Sequence, residues 1–267
     1  ARAWLFDVDG VLTDPEIKRV TRPALYDELS LRLMHGEPVG LNTGRSLLFI
    51  EGVLAPLEEH IPDRRQVRYL VAIGEKGGAR ITYDADGARI ATVDQQIAIP
   101  QALRDAVVRL AAQPEYASCM FEDQTKQTMV SLELREGCSV AEFAPRQREL
   151  VEVLQRMLEA EGWNERFGID PNRIATDVQD RHVGKALGAA TFVGELAAGG
   201  VEPGRYLCFG DSAHDYDMLD ALLRLGKRAE LVFVGGEEML RGKDTRLVTF
   251  TELLCDAGTL AYLQSTR

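Results

Sequence analysis

Cysteine is scarce in this sequence. Four occur among 267 residues, Cys119, Cys138, Cys208 and Cys255. None belongs to a CxxC pair, so they are expected as separate small buried hydrophobes in a reducing compartment rather than zinc ligands or a nucleophile. The four histidines show no ligand spacing either, which argues against a zinc site. No apolar run approaches the roughly 18–20 residues of a membrane span. Positive charge is also short: 31 Lys and Arg face 42 Asp and Glu, a net charge of −11. That argues against nucleic acid and against an anionic membrane surface as partners. An acidic chain still accommodates a phosphorylated ligand where a metal and a few local donors reverse the field. The first strand begins almost at Ala1, with no basic segment and no signal-peptide core, so a cytoplasmic location is expected. Ala1 in place of Met implies a natural start further upstream.

The composition present, 45% hydrophobic and 27% charged, is that of a globular protein with one large or two ordinary domains. The first part alternates strand and helix. "AWLFDVD", "EPVGLNTG" and "VRYLVAIG" read as strands. "RPALYDELSLRLM" and "SLLFIEGVLAPLEEH" read as helices, the second with Ser46 as N-cap. After residue 180 the alternation resumes, with helices over 182–200 and 212–226 around the strand "RYLCFGD". The strand "AELVFVGG" and a terminal helix "DAGTLAYLQ" follow. Such alternation predicts an α/β fold with a doubly wound parallel sheet.

The middle is α+β in character. "ARITYDADGARIATV" has a hairpin signal at Asp86-Gly87. A helix over 100–112, a strand "QTMVSLELR", a helix from about 141 to 162 and a segment "RIATDVQD" follow. The expected organisation is a discontinuous core, residues 1–79 and 180–267, with an inserted α+β domain at 80–179.

Chemistry-bearing residues gather at strand ends. Asp7 and Asp9 flank Val8 before Gly10. In a strand, residues two apart share a side, and parallel α/β sheets bind ligands beyond their strands' C-terminal ends. Two carboxylates this close need a cation or a shared proton, and oxygen ligands without sulfur suit Mg²⁺. The plain alternative is a surface turn. Thr43, Gly44 and Arg45 close the second strand before a helix, where a hydroxyl and backbone N–H groups suit phosphate or ordinary capping. Lys185 opposes a helix dipole at its N-terminus, so its placement needs another reason. Asp211 ends the strand "RYLCFGD", while Ser212 and Asp215 have capping-box spacing.

In order, "DVDGV", "NTGR", Lys185 and "GDSAHD" resemble the four motifs of the haloacid dehalogenase superfamily of phosphohydrolases. The resemblance covers about residues 1–79 and 180–267. The insertion resembles the large cap of the Cof-like subgroup, which includes sugar-phosphate phosphatases and phosphomannomutase. Its stretch "FEDQTKQTMVSLELR" is loosely similar to the glutamate-led strand of trehalose-phosphate phosphatases.

The resemblance implies a Mg²⁺-dependent phosphatase for a small phosphorylated metabolite, of the sugar-phosphate kind, in a monomer or homodimer. It makes Asp7 the nucleophile and Asp9 the general acid and base. It assigns Mg²⁺ to Asp7, the Val8 carbonyl and Asp211, with Asp215 in support. Thr43, Gly44 and Lys185 take the phosphoryl group. Arg45, Glu122, Lys126 and His182 are candidate substrate residues, with Asp123 and Gln124 beside them in the cap. Val11 stands where the family has Thr, and His214 where the Cof-like subgroup has Asn. A phosphomutase and a non-catalytic phospholigand-binding protein remain alternative readings.

Overall fold

The computed structural model describes residues 1–267. In chain order the elements are β1 (Arg2–Phe6), α1 (Ala24–Met34), β2 (Val39–Asn42), α2 (Leu47–Glu59), β3 (Leu70–Gly74), β4 (Ala79–Tyr83) and β5 (Arg89–Val93). Then come α3 (Gln101–Ala111), α4 (Pro114–Ala117), β6 (Met120–Glu122), β7 (Val130–Leu134), α5 (Val140–Ala160), β8 (Phe167–Pro171) and β9 (Ala175–Asp180). The chain ends with α6 (Lys185–Ala198), β10 (Arg205–Gly210), α7 (Tyr216–Arg224), β11 (Ala229–Phe233), β12 (Val248–Phe250) and α8 (Cys255–Ser265). Contacts divide it into two units, residues 1–92 with 184–267 and residues 93–183.

The first unit holds an eight-stranded sheet in the order β12-β11-β10-β1-β2-β3-β4-β5. The pairs from β12 to β3 are parallel, and β4 joins β3 antiparallel. From β1 the chain moves outward through β2 and β3 on one side, and later through β10, β11 and β12 on the other. The β1–β10 junction is therefore a topological switch point, where a crevice opens beyond the strands' C-terminal ends. Phe6 registers with Phe209, and Asp7 N–H donates to Phe209 O at 2.9 Å. The residues after β1 and after β10 thus leave the sheet side by side.

Strand alternation builds the core. Ala3, Leu5, Tyr206, Cys208, Leu231 and Phe233 belong to one buried cluster with Phe192 of α6 and Leu219 and Leu222 of α7. Phe6 on the other face stacks on Phe209 at 4.5 Å, and Phe209 meets Tyr262 of α8 edge-on. Below Trp4 runs a buried ionic network. Glu28 accepts from Arg32 at 2.7 Å and also from Arg267, while Arg32 stacks over the Trp4 ring at 4.5 Å. Burial opposes ionisation of Glu28, but the two guanidiniums outweigh it and hold its carboxyl below the usual range.

One boundary differs from expectation. The hairpin arms at 79–93, expected in the insertion, are β4 and β5 of the main sheet, and the inserted unit begins at residue 93. Asp84 and Ala88 close its turn, with Gly87 at φ +82°.

The inserted unit is an antiparallel sheet in the order β6-β7-β9-β8, with a cluster built from Leu103, Val107, Leu132, Phe143, Leu150, Leu154 and Val178. Helix α5 starts with a Ser139–Glu142 capping box. Here the cysteine expectation needs correction. Cys119 and Cys138, 19 residues apart, form a disulfide with Cα atoms 5.5 Å apart, within the ordinary bridging range. Cys208 is free and buried as expected, while Cys255 is free and only partly buried. No helix is long and apolar enough to cross a membrane.

Candidate active site

Strand β1 stops at Phe6, so Asp7 and Asp9 lie in the turn that follows rather than in the strand itself. The Val8 carbonyl organises that turn. It accepts the N–H groups of Leu12 and Thr13, both at 3.0 Å, and the Thr13 hydroxyl at 3.1 Å. This carbonyl, expected among the metal's ligands, thus already accepts hydrogen bonds inside the loop. Val11 has no hydroxyl to offer and is fully buried. The chain can turn because Gly10 adopts φ +74°, and a Cβ there would meet Asp211 Oδ2 at 2.2 Å. Gly235 approaches the same aspartate from another loop, where a Cβ would meet the Asp211 carbonyl oxygen at 2.1 Å.

The placement of Lys185 now has its reason. It is the first residue of α6, after Gly184 in extended conformation (φ 161°, ψ 179°). Its ammonium nitrogen lies 2.5 Å from Asp7 Oδ1 and 2.9 Å from Asp215 Oδ1, and donates to Asn42 O at 2.8 Å. Asn42 returns the contact, its Nδ2 donating to Lys185 O at 3.0 Å. Burial alone would lower the Lys185 pKa, but Asp215 and Asp7 outweigh it and raise it. Asp7 Oδ1 takes both Lys185 and the Val8 N–H at 2.6 Å, which leaves Oδ2 as the oxygen without those bonds.

Asp215 does two jobs. Its Oδ2 accepts from Asp211 N, Ser212 N and Ser212 Oγ at 3.1, 3.0 and 2.9 Å, the capping role expected of it. Its Oδ1 faces Lys185. The carboxylate oxygens of Asp7, Asp211 and Asp215 include a set that lies within 4.8 Å of one another. Burial, then the Asp215 charge, raises the Asp7 carboxyl well above its usual range despite Lys185. Burial and Asp215 push Asp211 up to about 6. Asp7 and Asp211, both of which resist ionisation, crowd with Asp215 into a set of hard oxygen donors that fits a small divalent cation such as Mg²⁺.

Asp9 faces elsewhere. Arg45 holds it with two bonds, Nε to Oδ2 at 3.1 Å and Nη2 to Oδ1 at 3.2 Å, and Lys18 Nζ lies 3.9 Å away. The Arg45 guanidinium also stacks on Phe49 at 4.8 Å. Thr43 N–H is taken by Ile73 O at 2.9 Å, and Thr43 Oγ accepts the Arg45 N–H at 3.1 Å, leaving the hydroxyl proton to donate outward. Ser46 caps α2 as expected, accepting from Phe49 N at 3.3 Å. Thr43, Gly44, Arg45, Asp7, Asp9, Lys185, Asp211 and Asp215 thus follow three neighbouring strands, β1, β2 and β10, and open α6.

The candidates in the inserted unit are tied within it. Glu122 pairs with Arg104 at 3.1 Å, and buried Lys126 lies 3.8 Å from Asp177. Asp123 accepts from Thr125 N and Oγ, making a local turn beside Gln124. His182 is corrected in one respect. The helix expected over 182–200 begins only at Lys185, so His182 lies in the preceding loop, against Asp180 at 2.8 Å. His214 is exposed, in the turn before α7. Sequence reasoning missed Asn42 as the clamp on Lys185, and Lys18 beside Asp9.

No protein-family model and no curated protein sequence matches the chain. Solved structures are similar to it. The Aspergillus fumigatus trehalose-6-phosphate phosphatase aligns over 100% of this chain and 93% of its own, at 22% identity and TM-score 0.57. The C. albicans trehalose-6-phosphate phosphatase C-terminal domain aligns over 99% and 91%, at 16% identity and TM-score 0.67. A haloacid dehalogenase-like hydrolase from Bacteroides thetaiotaomicron aligns over 100% and 99%, at 13% identity and TM-score 0.67. The likeness shows the architecture: this chain is built on the haloacid dehalogenase-like hydrolase fold that its four motifs resemble.

Proposed function

We propose that the chain is a Mg²⁺-dependent phosphatase acting on a small phosphorylated metabolite of the sugar-phosphate class. The observation that carries this reading is the Asp7 carboxylate at the switch point. One of its oxygens is fixed by Lys185, and two further carboxylates crowd beside it. The similarity to the solved trehalose-6-phosphate phosphatases supports the substrate class.

Asp7, Asp211 and Asp215 would hold the metal, which when bound neutralises charge on the phosphoryl oxygens. Lys185 orients Asp7 by its Oδ1, and Oδ2 attacks phosphorus. The bond from phosphorus to the ester oxygen breaks, and Asp9 gives its proton to that oxygen. The Thr43 hydroxyl and the loop at Gly44 position the group in transfer. Water then attacks the aspartyl-phosphate, Asp9 takes the water's proton, and phosphate leaves with Asp7 restored. Arg45 occupies both Asp9 oxygens, so it must yield Asp9 before proton transfer, which frees it to meet the substrate. The inserted unit, residues 93–183, is assigned the choice of substrate as a cap.

Phosphate release from a panel of sugar phosphates, with Mg²⁺ and with EDTA, tests the reading. EDTA-sensitive release from a subset is the expected result. No release from any member overturns it, and isomerised sugar phosphate without free phosphate would make the protein a mutase instead.

A further inference from the structure

Two cations attend Asp9, and one of them is not bonded to it. Arg45 donates to both carboxylate oxygens, at 3.1 and 3.2 Å. Lys18 Nζ lies 3.9 Å from Oδ1, an ion-pair separation too long for a hydrogen bond. The two come from different loops, Lys18 from the one after β1 and Arg45 from the one after β2. The Lys18 and Asp9 side chains both stay partly exposed, so a ligand can reach the pair.

The fold does not account for the lysine. A partly exposed pair at this distance adds little stability. Lys18 also sits at φ +60°, a left-handed conformation that L-residues rarely adopt and that glycine takes without steric cost. The loop is closed by other bonds. Asp14 N–H donates to Arg19 O and Lys18 N–H to Asp14 O, both at 2.9 Å. Asp14 Oδ1 accepts from the N–H groups of Glu16 and Ile17, also at 2.9 Å. None of these bonds uses the ammonium group.

The chemistry does give it a use. Arg45 must release Asp9 before Asp9 can protonate the ester oxygen, and negative charge then grows on Asp9 as the proton leaves. A cation bonded at Oδ1 offsets that charge and leaves Oδ2 to carry the proton. Lys185 treats Asp7 in the same way, holding Oδ1 and leaving Oδ2 to attack.

We infer that Lys18 is a positioning residue for proton transfer: when Arg45 departs, the Lys18 ammonium group closes onto Asp9 Oδ1 and presents Oδ2 to the leaving oxygen. This rests on the phosphatase reading above. The test compares wild type with Lys18→Met, Lys18→Gly and Lys18→Arg on two esters with Mg²⁺, reading the single-turnover cleavage rate at saturating enzyme. One ester is the sugar phosphate that wild type hydrolyses fastest in the panel above, whose alkoxide must be protonated. The other is p-nitrophenyl phosphate, whose phenolate leaves without a proton. On the sugar phosphate, Lys18→Met and Lys18→Gly cleave about tenfold more slowly, while Lys18→Arg stays within about threefold of wild type. On p-nitrophenyl phosphate all three stay within about threefold. Lys18→Gly, relieved of the positive φ, unfolds no earlier than wild type.

Equal losses on the two esters overturn the assignment, as do rates within about twofold of wild type on both. Weaker substrate binding with an unchanged cleavage rate overturns it too, since that marks a substrate contact. A crystal structure of ligand-free Arg45→Met reads the closure directly. Lys18 Nζ is expected within about 3.2 Å of Asp9 Oδ1 there, and an unchanged or longer separation overturns the inference. A wild type that cleaves no ester defeats the phosphatase reading instead, and the Arg45→Met structure then judges the Lys18–Asp9 closure alone.

Discussion

Lys185 reaches Asp7 from the opposite half of the discontinuous unit, its ammonium nitrogen 2.5 Å from Oδ1. The contact joins the turn after β1 to the start of α6, and it balances a group of carboxylates that would otherwise repel. Replacing Lys185 by Met leaves Asp7 and Asp215 buried without their cation. Without metal, that change destabilises the fold by about 3–5 kcal/mol. Saturating Mg²⁺ restores more stability to the variant than to wild type, as thermal unfolding with and without the ion will show. An equal Mg²⁺ effect on both proteins would mean that Lys185 does not balance this charge.

Asp7→Asn separates chemistry from stability. The amide cannot form the acyl-phosphate, so kcat falls by at least about a thousandfold. The fold is expected to hold or gain stability at neutral pH, because burial and Asp215 already disfavour the ionised carboxyl there. Phosphate release and a melting curve on the same sample read both effects. Full activity in the variant would sink the nucleophile assignment.

Without metal, Asp211 makes stability depend on pH in an unusual direction for an acid. Its carboxyl rises from about 4 in an unfolded chain to about 6 in the fold. The folded form binds that proton more tightly, so the contribution is complete below pH about 4 and is lost as pH rises through about 6. Its size is on the order of 2–3 kcal/mol. Melting temperatures of wild type and Asp211→Asn across this window should diverge with rising pH, wild type falling relative to the variant. Mg²⁺ should raise the wild-type melting temperature more at pH 7.5 than at pH 5, and parallel curves would count against the crowding.

Glu28 lies far from the chemistry and carries the opposite sign. Arg32 and Arg267 hold its carboxyl below the usual range against the pull of burial, so its contribution exists at neutral pH and is lost on acidification. Glu28→Gln leaves two guanidiniums short of their shared partner, at a cost of about 3–5 kcal/mol at pH 7. Turnover per folded molecule, measured well below the melting temperature, should not change. A lowered kcat at full folding would show that this network reaches the active site.

Much of the site was legible because parallel strands deliver their C-terminal residues to one edge, so Asp7, Thr43 and Asp211 announced themselves by position alone. The strand-parity argument for Asp7 and Asp9 does not apply, since β1 ends before either and Asp7 turns to Lys185 while Asp9 turns to Arg45. What stayed hidden depends on three-dimensional neighbours. A hairpin signal says that β4 and β5 pair with each other, not which sheet receives them. Strands as short as β6 and β12, and β8 with its Gly168 and Pro171, carry too little alternation to stand out. The Cys119–Cys138 pair has no local spacing signature. The bonds that Leu12 and Thr13 donate to the Val8 carbonyl leave no trace in residue type.

The close approach of Gly10 and Gly235 to Asp211 also limits how this site can diversify. From two separate loops, the space around one aspartate is filled up to the α-carbon, and one methyl group at either position would displace the carboxyl or its peptide. Elsewhere these loops can lengthen, shorten or exchange residues as substrates change. At positions 10 and 235 the permitted alphabet has one letter, so recombined or randomised versions of this protein will keep both glycines whatever new ester they are selected to take.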